Sequence, residues 1–184
     1  ELMTYPRRLL TCVEAGNFLS KIERRVLREP VSHIIGVKEF WSLEFSVNEK
    51  VLTPRPETEI LVDQCLKALE KNSSPVRILD LGSGSGILAI VLAKEVPHSQ
   101  ITAIEKSTLE VARKNALRHC VDDQVCFISA DLMKTEWQGP YHLIISNPPY
   151  IKSEELLKCM PEVRQYEPIE ALDGGQDGLD YYRF

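Results

Sequence analysis

The alternation of short apolar stretches with amphipathic ones between Val76 and Ser146 constrains the fold more than any other feature of the chain. Apolar runs bounded by turn residues predict buried strands, and the longer stretches between them have the spacing of helices. Such alternation favours a parallel sheet covered by helices on both faces, with right-handed crossovers. The expected strands are 76–81, 100–105, 124–129 and 141–146, and the expected helices are 87–95 and 108–119.

The first third of the chain predicts helical structure followed by a β-hairpin. Apolar residues between positions 7 and 28 recur at mostly helical spacing, and the interruption at Gly16-Asn17 favours two short helices or the tail of a helical domain. From Glu39 to Pro54 the pattern changes to alternation, which predicts a hairpin with its turn at 48–50.

A further helix and a polar boundary precede the alternating region. Pro56 stands at a position typical of the first helical turn, and the polar segment 71–75 is the clearest local boundary. The helix between them is expected to present one apolar stripe, made of Ile60, Leu61, Cys65, Leu66 and Leu69.

Composition and charge limit the partners of the chain. Its 184 residues fit one ordinary domain, and a net charge of -5 argues against nucleic acid as the main partner. No apolar run approaches the roughly 20 residues that span a bilayer, so we expect no membrane association.

Five scattered cysteines indicate reduced thiols, and the spacing of His119, Cys120 and Cys126 matches no common ligand pattern, so no metal is expected. We expect a cytoplasmic location or an organelle matrix, mitochondrial or other.

A glycine-rich loop joins the first strand of the alternating region to its helix. The residues are Gly82-Ser83-Gly84-Ser85-Gly86, and glycines there allow a sharp turn and the close approach of a ligand. The Gly-x-Gly-x-Gly spacing differs from the dinucleotide fingerprint, and the Lys-Ser/Thr of a phosphate-binding P-loop is absent. By itself the loop is equally consistent with a tight turn.

Two acidic residues follow the next two strands. Glu105 comes after Gly86 at about the 20-residue spacing at which a carboxylate accepts from ribose hydroxyls, although a strand end also commonly carries an exposed charge. Asp131 is placed to accept from an exocyclic adenine amine, with Leu132 against the ring, and a helix cap is the equal alternative for Asp131. Together with the glycine loop, these residues predict a site for adenosine.

The sequence Asn147-Pro148-Pro149-Tyr150 directly follows the fourth expected strand. The two prolines stiffen the chain and remove two backbone donors, which leaves the Asn147 side chain and nearby carbonyls as acceptors. Tyr150 offers a flat surface for stacking. The alternative is a rigid strand exit without function, but the carboxyl edge of a parallel sheet is where ligands bind.

These motifs resemble those of known methyltransferases. The strand, loop and helix with Asp80 and Glu105 resemble the class I S-adenosylmethionine-dependent methyltransferases. The Asn-Pro-Pro-Tyr sequence at 147–150 resembles that of amino-methyltransferases, which act on glutamine amides, adenine N6 or cytosine N4.

Three further segments are similar to the HemK/PrmC family of protein-(glutamine-N5) methyltransferases. They are 28–40, 51–59 with its Arg-Pro-Glu-Thr-Glu, and 166–175 with Tyr-Glu-Pro and Ala-Leu-Asp-Gly-Gly. The resemblance runs from about residue 20 to the end. The chain departs from the family in having Glu105 where Asp is more frequent, and in stopping at Phe184 where three more strands would follow.

The resemblance implies a fold and an organisation. We expect an α/β, Rossmann-like class I methyltransferase sheet without its carboxyl-terminal strands, preceded by an amino-terminal helical remnant and a β-hairpin. The expected parts are the helical remnant at 1–36, the hairpin linker at 37–54 and an S-adenosylmethionine-binding domain at 55–184. An open sheet edge would favour a partner chain or self-association.

The resemblance also implies an enzyme with S-adenosyl-L-methionine as cofactor, which methylates the glutamine of Gly-Gly-Gln in class 1 peptide chain release factors and thereby serves translation termination. The alternatives are an adenine-N6 or other nucleic-acid amino-methyltransferase, and a non-catalytic subunit of the same fold. Matched residue by residue, the cofactor is expected at Gly82, Ser83, Gly84, Ser85, Gly86, Glu105, Asp131, Leu132 and Asn147, the substrate at Asn147, Pro148, Pro149 and Tyr150, and the catalytic roles on Asn147, Pro148 and Tyr150.

Overall fold

The computed structural model describes residues 7–70, 75–135, 137 and 139–183. The described helices are α1 (Cys12–Val26), α2 (Val31–Ile35), α3 (Glu59–Leu69), α4 (Ile87–Glu95), α5 (Leu109–Arg118), α6 (Pro161–Tyr166) and α7 (Asp180–Arg183). The described strands are β1 (Val37–Phe40), β2 (Leu43–Ser46), β3 (Val76–Leu81), β4 (Ser99–Glu105), β5 (Val125–Ser129) and β6 (Leu143–Ser146).

Four of the strands form a parallel sheet in the order β5-β4-β3-β6, so the predicted parallel α/β fold is confirmed. In its register Leu81 lies opposite both Ile104 and Ser146, and Glu105 lies opposite Ser129. The carboxyl ends of the four strands therefore reach the same edge. The predicted strands and helices of this region agree with the observed ones to within two residues at either end.

The core lies around β3 and α4. Ile78 and Leu79 of β3 are buried, and every residue of α4 from Ile87 to Ala93 is buried as well. A helix that is apolar on all sides is stable only when other elements cover it completely. The sheet and its neighbouring helices therefore hold α4, and with it the preceding glycine loop, in a fixed position.

The amino-terminal helix differs from the prediction. Helix α1 runs through Gly16-Asn17 without a break, so the predicted interruption is wrong. Thr11 and Glu14 form a capping box that satisfies free backbone donors at its start, which outweighs a glycine cost of about 1 kcal/mol. None of the residues of α1 is buried.

The turn of the β-hairpin lies about seven residues earlier in the chain than the sequence predicts. Strand β1 pairs with β2 from Val37 opposite Ser46 to Phe40 opposite Leu43, so the turn is Trp41-Ser42 and the predicted turn at 48–50 is wrong. Both turn residues have positive φ, 53° and 57°.

Trp41 is anchored to two helices. Its backbone N–H donates to Oε1 of Glu59 at 2.8 Å, and its indole Nε1 donates to Oε1 of Glu95 at 2.9 Å. These contacts to α3 and α4 stabilise a left-handed backbone conformation that the sequence of the turn does not favour by itself. Tertiary contacts therefore decide where the hairpin turns.

The remaining predictions for this half of the chain concern α3 and its boundary. A 3-10 turn, Pro56–Thr58, leads into α3, whose buried residues are Val62, Cys65 and Leu69, while Ile60 of the predicted stripe is exposed. Residues 71–74 of the predicted polar boundary lie outside the described residues. The division of the chain at positions 36 and 54 stays a prediction.

Across the described ranges, no helix combines the length and apolarity that crossing a bilayer requires.

Candidate active site

A cavity of about 430 Å³ lies at the carboxyl edge of the parallel sheet. The segment after each of the four strands contributes to it, which is the geometry that a parallel sheet provides for ligands. The lining includes 82–85 after β3, 105–108 after β4, 130–132 after β5 and 147–149 after β6, together with 50–52, 54, 55 and 58 on one side and 168–171, 173 and 181 on another.

Most of the predicted site residues lie in this one cavity, while Gly86 and Tyr150 do not line it. Gly86 has a φ of +81°, and a Cβ there would lie 3.2 Å from Cβ of Ala112, so this glycine allows α4 and α5 to approach. Tyr150 is 59% exposed beside the cavity. The predicted residues in the lining are Gly82, Ser83, Gly84, Ser85, Glu105, Asp131, Leu132, Asn147, Pro148 and Pro149.

Hydrogen bonds from β4 and the segment after it fix the glycine loop. The backbone N–H groups of Gly82 and Ser83 both donate to the carbonyl of Ile104, at 3.0 and 2.9 Å. The N–H of Gly84 donates to Oε2 of Glu105 at 2.8 Å. The loop is thus tied to the end of the neighbouring strand before any ligand binds.

The Glu105 carboxylate is held on both oxygens. Besides Gly84 on Oε2, its Oε1 accepts from the backbone N–H groups of Lys106 and Ser107 at 2.9 and 3.0 Å. A carboxylate has about four acceptor positions, so Oε2 retains one position for a hydroxyl group of a ligand. The sequence predicted the position of Glu105 at the cavity but not its bond to the loop.

Asp131 is the predicted cap and also lines the cavity, while its contact with adenine stays a prediction. It lines the cavity, and its Oδ1 accepts from the N–H of Met133 at 3.1 Å, which caps the 3-10 turn Leu132–Lys134. That backbone hydrogen bond, and the nearby ammonium group of Lys106 at 3.3 Å from Oδ2, lower the pKa of Asp131. The carboxylate is therefore ionised and retains acceptor capacity toward the cavity.

Two buried polar side chains close to the loop are incompletely satisfied. Ser83 lines the cavity, and its buried hydroxyl has no hydrogen-bond partner among the described residues. The same holds for Oδ1 of Asp80, whose Oδ2 accepts from the N–H of Ala89 at 3.2 Å. Buried polar atoms without a partner are costly, so a polar ligand beside Ser83 would remove a penalty that the free protein carries.

Asp80 is the most strongly perturbed acid of the site. It is completely buried, and this burial raises its pKa to about 7, to which the negative charge of Glu105 contributes. In the unfolded chain this carboxyl has its ordinary pKa, near 3.8. Between about pH 4 and pH 7 the folded state therefore binds one proton more than the unfolded state, and stability falls as the pH rises through this window.

We expect the unfolding free energy of Asp80→Asn to increase relative to that of the wild type as the pH rises, because the amide cannot ionise. Each pKa unit corresponds to about 1.4 kcal/mol, so the difference in unfolding free energy should change by up to about 4 kcal/mol between pH 4 and pH 7. Urea titrations at several pH values measure it. Ile78→Val, at a buried position without a titratable group, is the control, and its effect on the unfolding free energy should not change with pH. An Asp80→Asn difference independent of pH would contradict the prediction.

The segment after β6 is held between the end of β3 and a later part of the chain. The Ser146 hydroxyl donates to the carbonyl of Leu81 at 2.8 Å, which joins the ends of β6 and β3. Beyond Tyr150, the N–H of Ile151 donates to Leu172 and the carbonyl of Ile151 accepts from Gly174, at 3.0 and 2.8 Å. Residues 147–151 are thus fixed at both ends.

An ion pair joins two walls of the cavity. Nη2 of Arg55 lies 2.6 Å from Oε2 of Glu167, whose side chain is only 2% exposed. Burial raises the pKa of Glu167, although the charge of Arg55 and a hydrogen bond from Thr53 act in the opposite direction. In the sequence, Arg55 belongs to the segment 51–59 and Glu167 to the segment 166–175, without a predicted contact between them. Their opposite charges were the one signal that could have paired them.

Among the described residues, the cysteines and histidines are not grouped into a metal site. All five cysteines are free, and Cys65 is the buried one. Within residues 7–70, 75–135, 137 and 139–183, no three His, Cys, Asp or Glu side chains are grouped so as to hold a metal ion.

A parallel sheet with a glycine loop after β3 and an acidic residue after β4 is the arrangement of the class I methyltransferase fold. The model of the family described as "Methyltransferase small domain" matches residues 57–162, more than half of the chain. The chain belongs to this family and, as the relatives below confirm, to its HemK/PrmC group.

The release factor glutamine methyltransferase of Geobacter sulfurreducens is 43% identical over 164 residues, which cover 88% of this chain and 56% of that relative. The one of Caulobacter vibrioides is 42% identical over 185 residues, covering 100% of this chain and 64% of the relative. This chain thus spans between 56% and 64% of the length of these two relatives.

A solved structure with the same fold is the hMettl16 catalytic domain in complex with MAT2A 3'UTR hairpin 6. It superposes with a TM-score of 0.65 over 83% of this chain and 59% of that chain, at 15% identity. At this identity the likeness concerns the fold alone.

Proposed function

We propose that this chain carries the catalytic part of a protein-(glutamine-N5) methyltransferase that modifies the Gly-Gly-Gln glutamine of class 1 peptide chain release factors. The observation that carries the proposal is the position of Asn147, Pro148 and Pro149, which line the same cavity as the glycine loop. The names of the two relatives, both release factor glutamine methyltransferases, support the substrate.

The cofactor is S-adenosyl-L-methionine, and its proposed position follows from the acceptors in the cavity. Glu105 accepts from the ribose hydroxyls, while Asp131 and Leu132 bind the adenine by its amine and its ring face. Residues 82–85, which line the cavity, surround the methionine part, and the unpartnered hydroxyl of Ser83 lies within this segment. When bound, S-adenosylmethionine supplies a methyl group that its sulfonium already activates.

The protein residues have chiefly to orient and polarise the substrate amide. An amide nitrogen is a poor nucleophile because its lone pair is delocalised into the carbonyl group. In the proposed mechanism, Oδ1 of Asn147 and the carbonyl of Pro148 accept the two amide hydrogens and thereby weaken this delocalisation. Pro149 keeps these acceptors in place, and Tyr150 stacks on the amide plane at the cavity mouth. The proton leaves the nitrogen after methyl transfer, so a strong general base is not required.

The charge of the chain favours a protein substrate over nucleic acid. Its net charge of -5 opposes the binding of a polyanion. Binding to the phosphate backbone of a nucleic acid requires a surface rich in Lys and Arg. The release factor as partner also favours the cytosol or an organelle matrix as the place of action.

A competition experiment tests the proposed substrate. The chain is incubated with labelled S-adenosylmethionine, a purified release factor and duplex DNA together, and the label is mapped by peptide mass. We expect label on the glutamine of Gly-Gly-Gln and none in the DNA. Label in the DNA would instead establish the adenine-N6 alternative. Saturable cofactor binding without transfer to either substrate would favour a non-catalytic subunit.

A further inference from the structure

One face of α5 contacts two walls of the cavity at once. Thr108, at the start of this helix, and Val111, Ala112 and Asn115 follow one another at helical spacing and are all buried. The hydroxyl of Thr108 donates to the carbonyl of Gly84 at 2.9 Å. The glycine loop therefore rests on this face of the helix, in addition to its bonds to β4.

Asn115 uses the donors and the acceptor of its amide in this contact. Its Nδ2 donates to the carbonyls of Ser46 and Ser85, at 3.1 and 2.9 Å, and its Oδ1 accepts from the N–H of Ser46 at 2.8 Å. The opposite amide orientation would face acceptor to acceptor and donor to donor, so the geometry fixes the orientation. Asn115 is fully buried and does not itself line the cavity.

The two residues that Asn115 joins belong to different walls. Ser85 lies in the glycine loop, and Ser46 ends β2, from which the chain continues into the wall at 50–52. On the same face of α5, Val111 packs in one buried cluster with Val47 and Val51 of that continuation. The helix face therefore sets the distance between the loop and the wall.

We infer that Asn115 is a positioning residue for S-adenosylmethionine binding, which acts through the Ser85 carbonyl and the Ser46 backbone. Without its amide the loop loses one of its fixed points, and the buried carbonyl of Ser85 and the half-buried carbonyl of Ser46 lose a donor. The glycine loop can then separate from the wall at 50–52, although every residue that lines the cavity is unchanged.

Calorimetric titration with S-adenosylmethionine tests this inference without any methyl acceptor. For Asn115→Ala we expect a dissociation constant raised by about tenfold, because loop and wall must be brought together again at each binding event. The dissociation constant of Asn115→Asp, in which a carboxylate oxygen faces two carbonyls, should be raised further. Asn115→Ser, whose hydroxyl retains one donor, is the milder variant if Asn115→Ala fails to fold.

Val76→Ala is the matched control, because Val76 is buried at the amino end of β3, away from the cavity edge. It should lower the unfolding free energy, while its dissociation constant should stay within about twofold of the wild type. The inference is wrong if Asn115→Ala binds with wild-type affinity, or if Val76→Ala weakens binding equally. The readout requires only the cofactor, so a failure of the proposed release-factor substrate would leave the result interpretable.

Discussion

Asn147→Ala is expected to lower kcat for glutamine methylation by about 100-fold or more, because it removes an acceptor whose bond to the amide hydrogen strengthens as the nitrogen attacks. The affinity for S-adenosylmethionine should fall by much less, about tenfold at most, since Glu105 and the glycine loop remain. Single-turnover methyl transfer to a release factor gives the rate, and calorimetry gives the affinity. Unchanged turnover with unchanged cofactor binding would contradict the role of Asn147.

The isosteric variant Asn147→Asp separates the acceptor from the rest of the side chain. A carboxylate retains an oxygen in the place of Oδ1 and cannot donate. If the role of Asn147 is to accept, Asn147→Asp should retain more activity than Asn147→Ala. If it is chiefly to donate to the cofactor, both variants should lose cofactor affinity together.

The parts of the fold that the sequence predicted well are those fixed by local periodicity. Helix α4 and strand β3 have their expected limits, because continuous apolar runs between turn residues are buried wherever they occur. The turn at Trp41-Ser42 was missed because bonds to Glu59 and Glu95 hold it. The unbroken α1 was missed because the capping at its start compensates for Gly16.

The candidate site follows the same division. The residues directly after β3, β4, β5 and β6 could be assigned to one cavity, because the carboxyl ends of parallel strands meet at one edge. The residues that hold the walls of that cavity in place could not be predicted. Arg55 and Glu167 lie far apart in the sequence, and Asn115 resembles any polar residue within a helix. Such contacts depend on the three-dimensional arrangement, which periodicity does not encode.

The second large effect is expected at Gly174, which packs against the exit of β6. A Cβ there would lie 2.8 Å from the Pro149 carbonyl oxygen and from Cα of Tyr150, and 2.9 Å from the carbonyl oxygen of Gly178. All three are backbone atoms, so no side chain can rotate away. Gly174→Ala must therefore displace residues 149–151 or break the bond between Gly174 and Ile151.

We expect Gly174→Ala to cost about 1–3 kcal/mol of unfolding free energy, as overpacking generally does, and to lower kcat by about tenfold or more, because displacements near 1 Å misalign reacting groups. Urea titration and single-turnover transfer measure the two effects. Gly16→Ala is the control: a Cβ there meets nothing within 4 Å, so turnover should be unchanged and α1 slightly stabilised.

The close packing at Gly174 controls the reaction only if kcat falls while cofactor affinity is retained. A Gly174→Ala variant with wild-type kcat and stability would show that residues 149–151 tolerate the displacement, and that the acceptors at Asn147 and Pro148 are positioned from the β6 side alone.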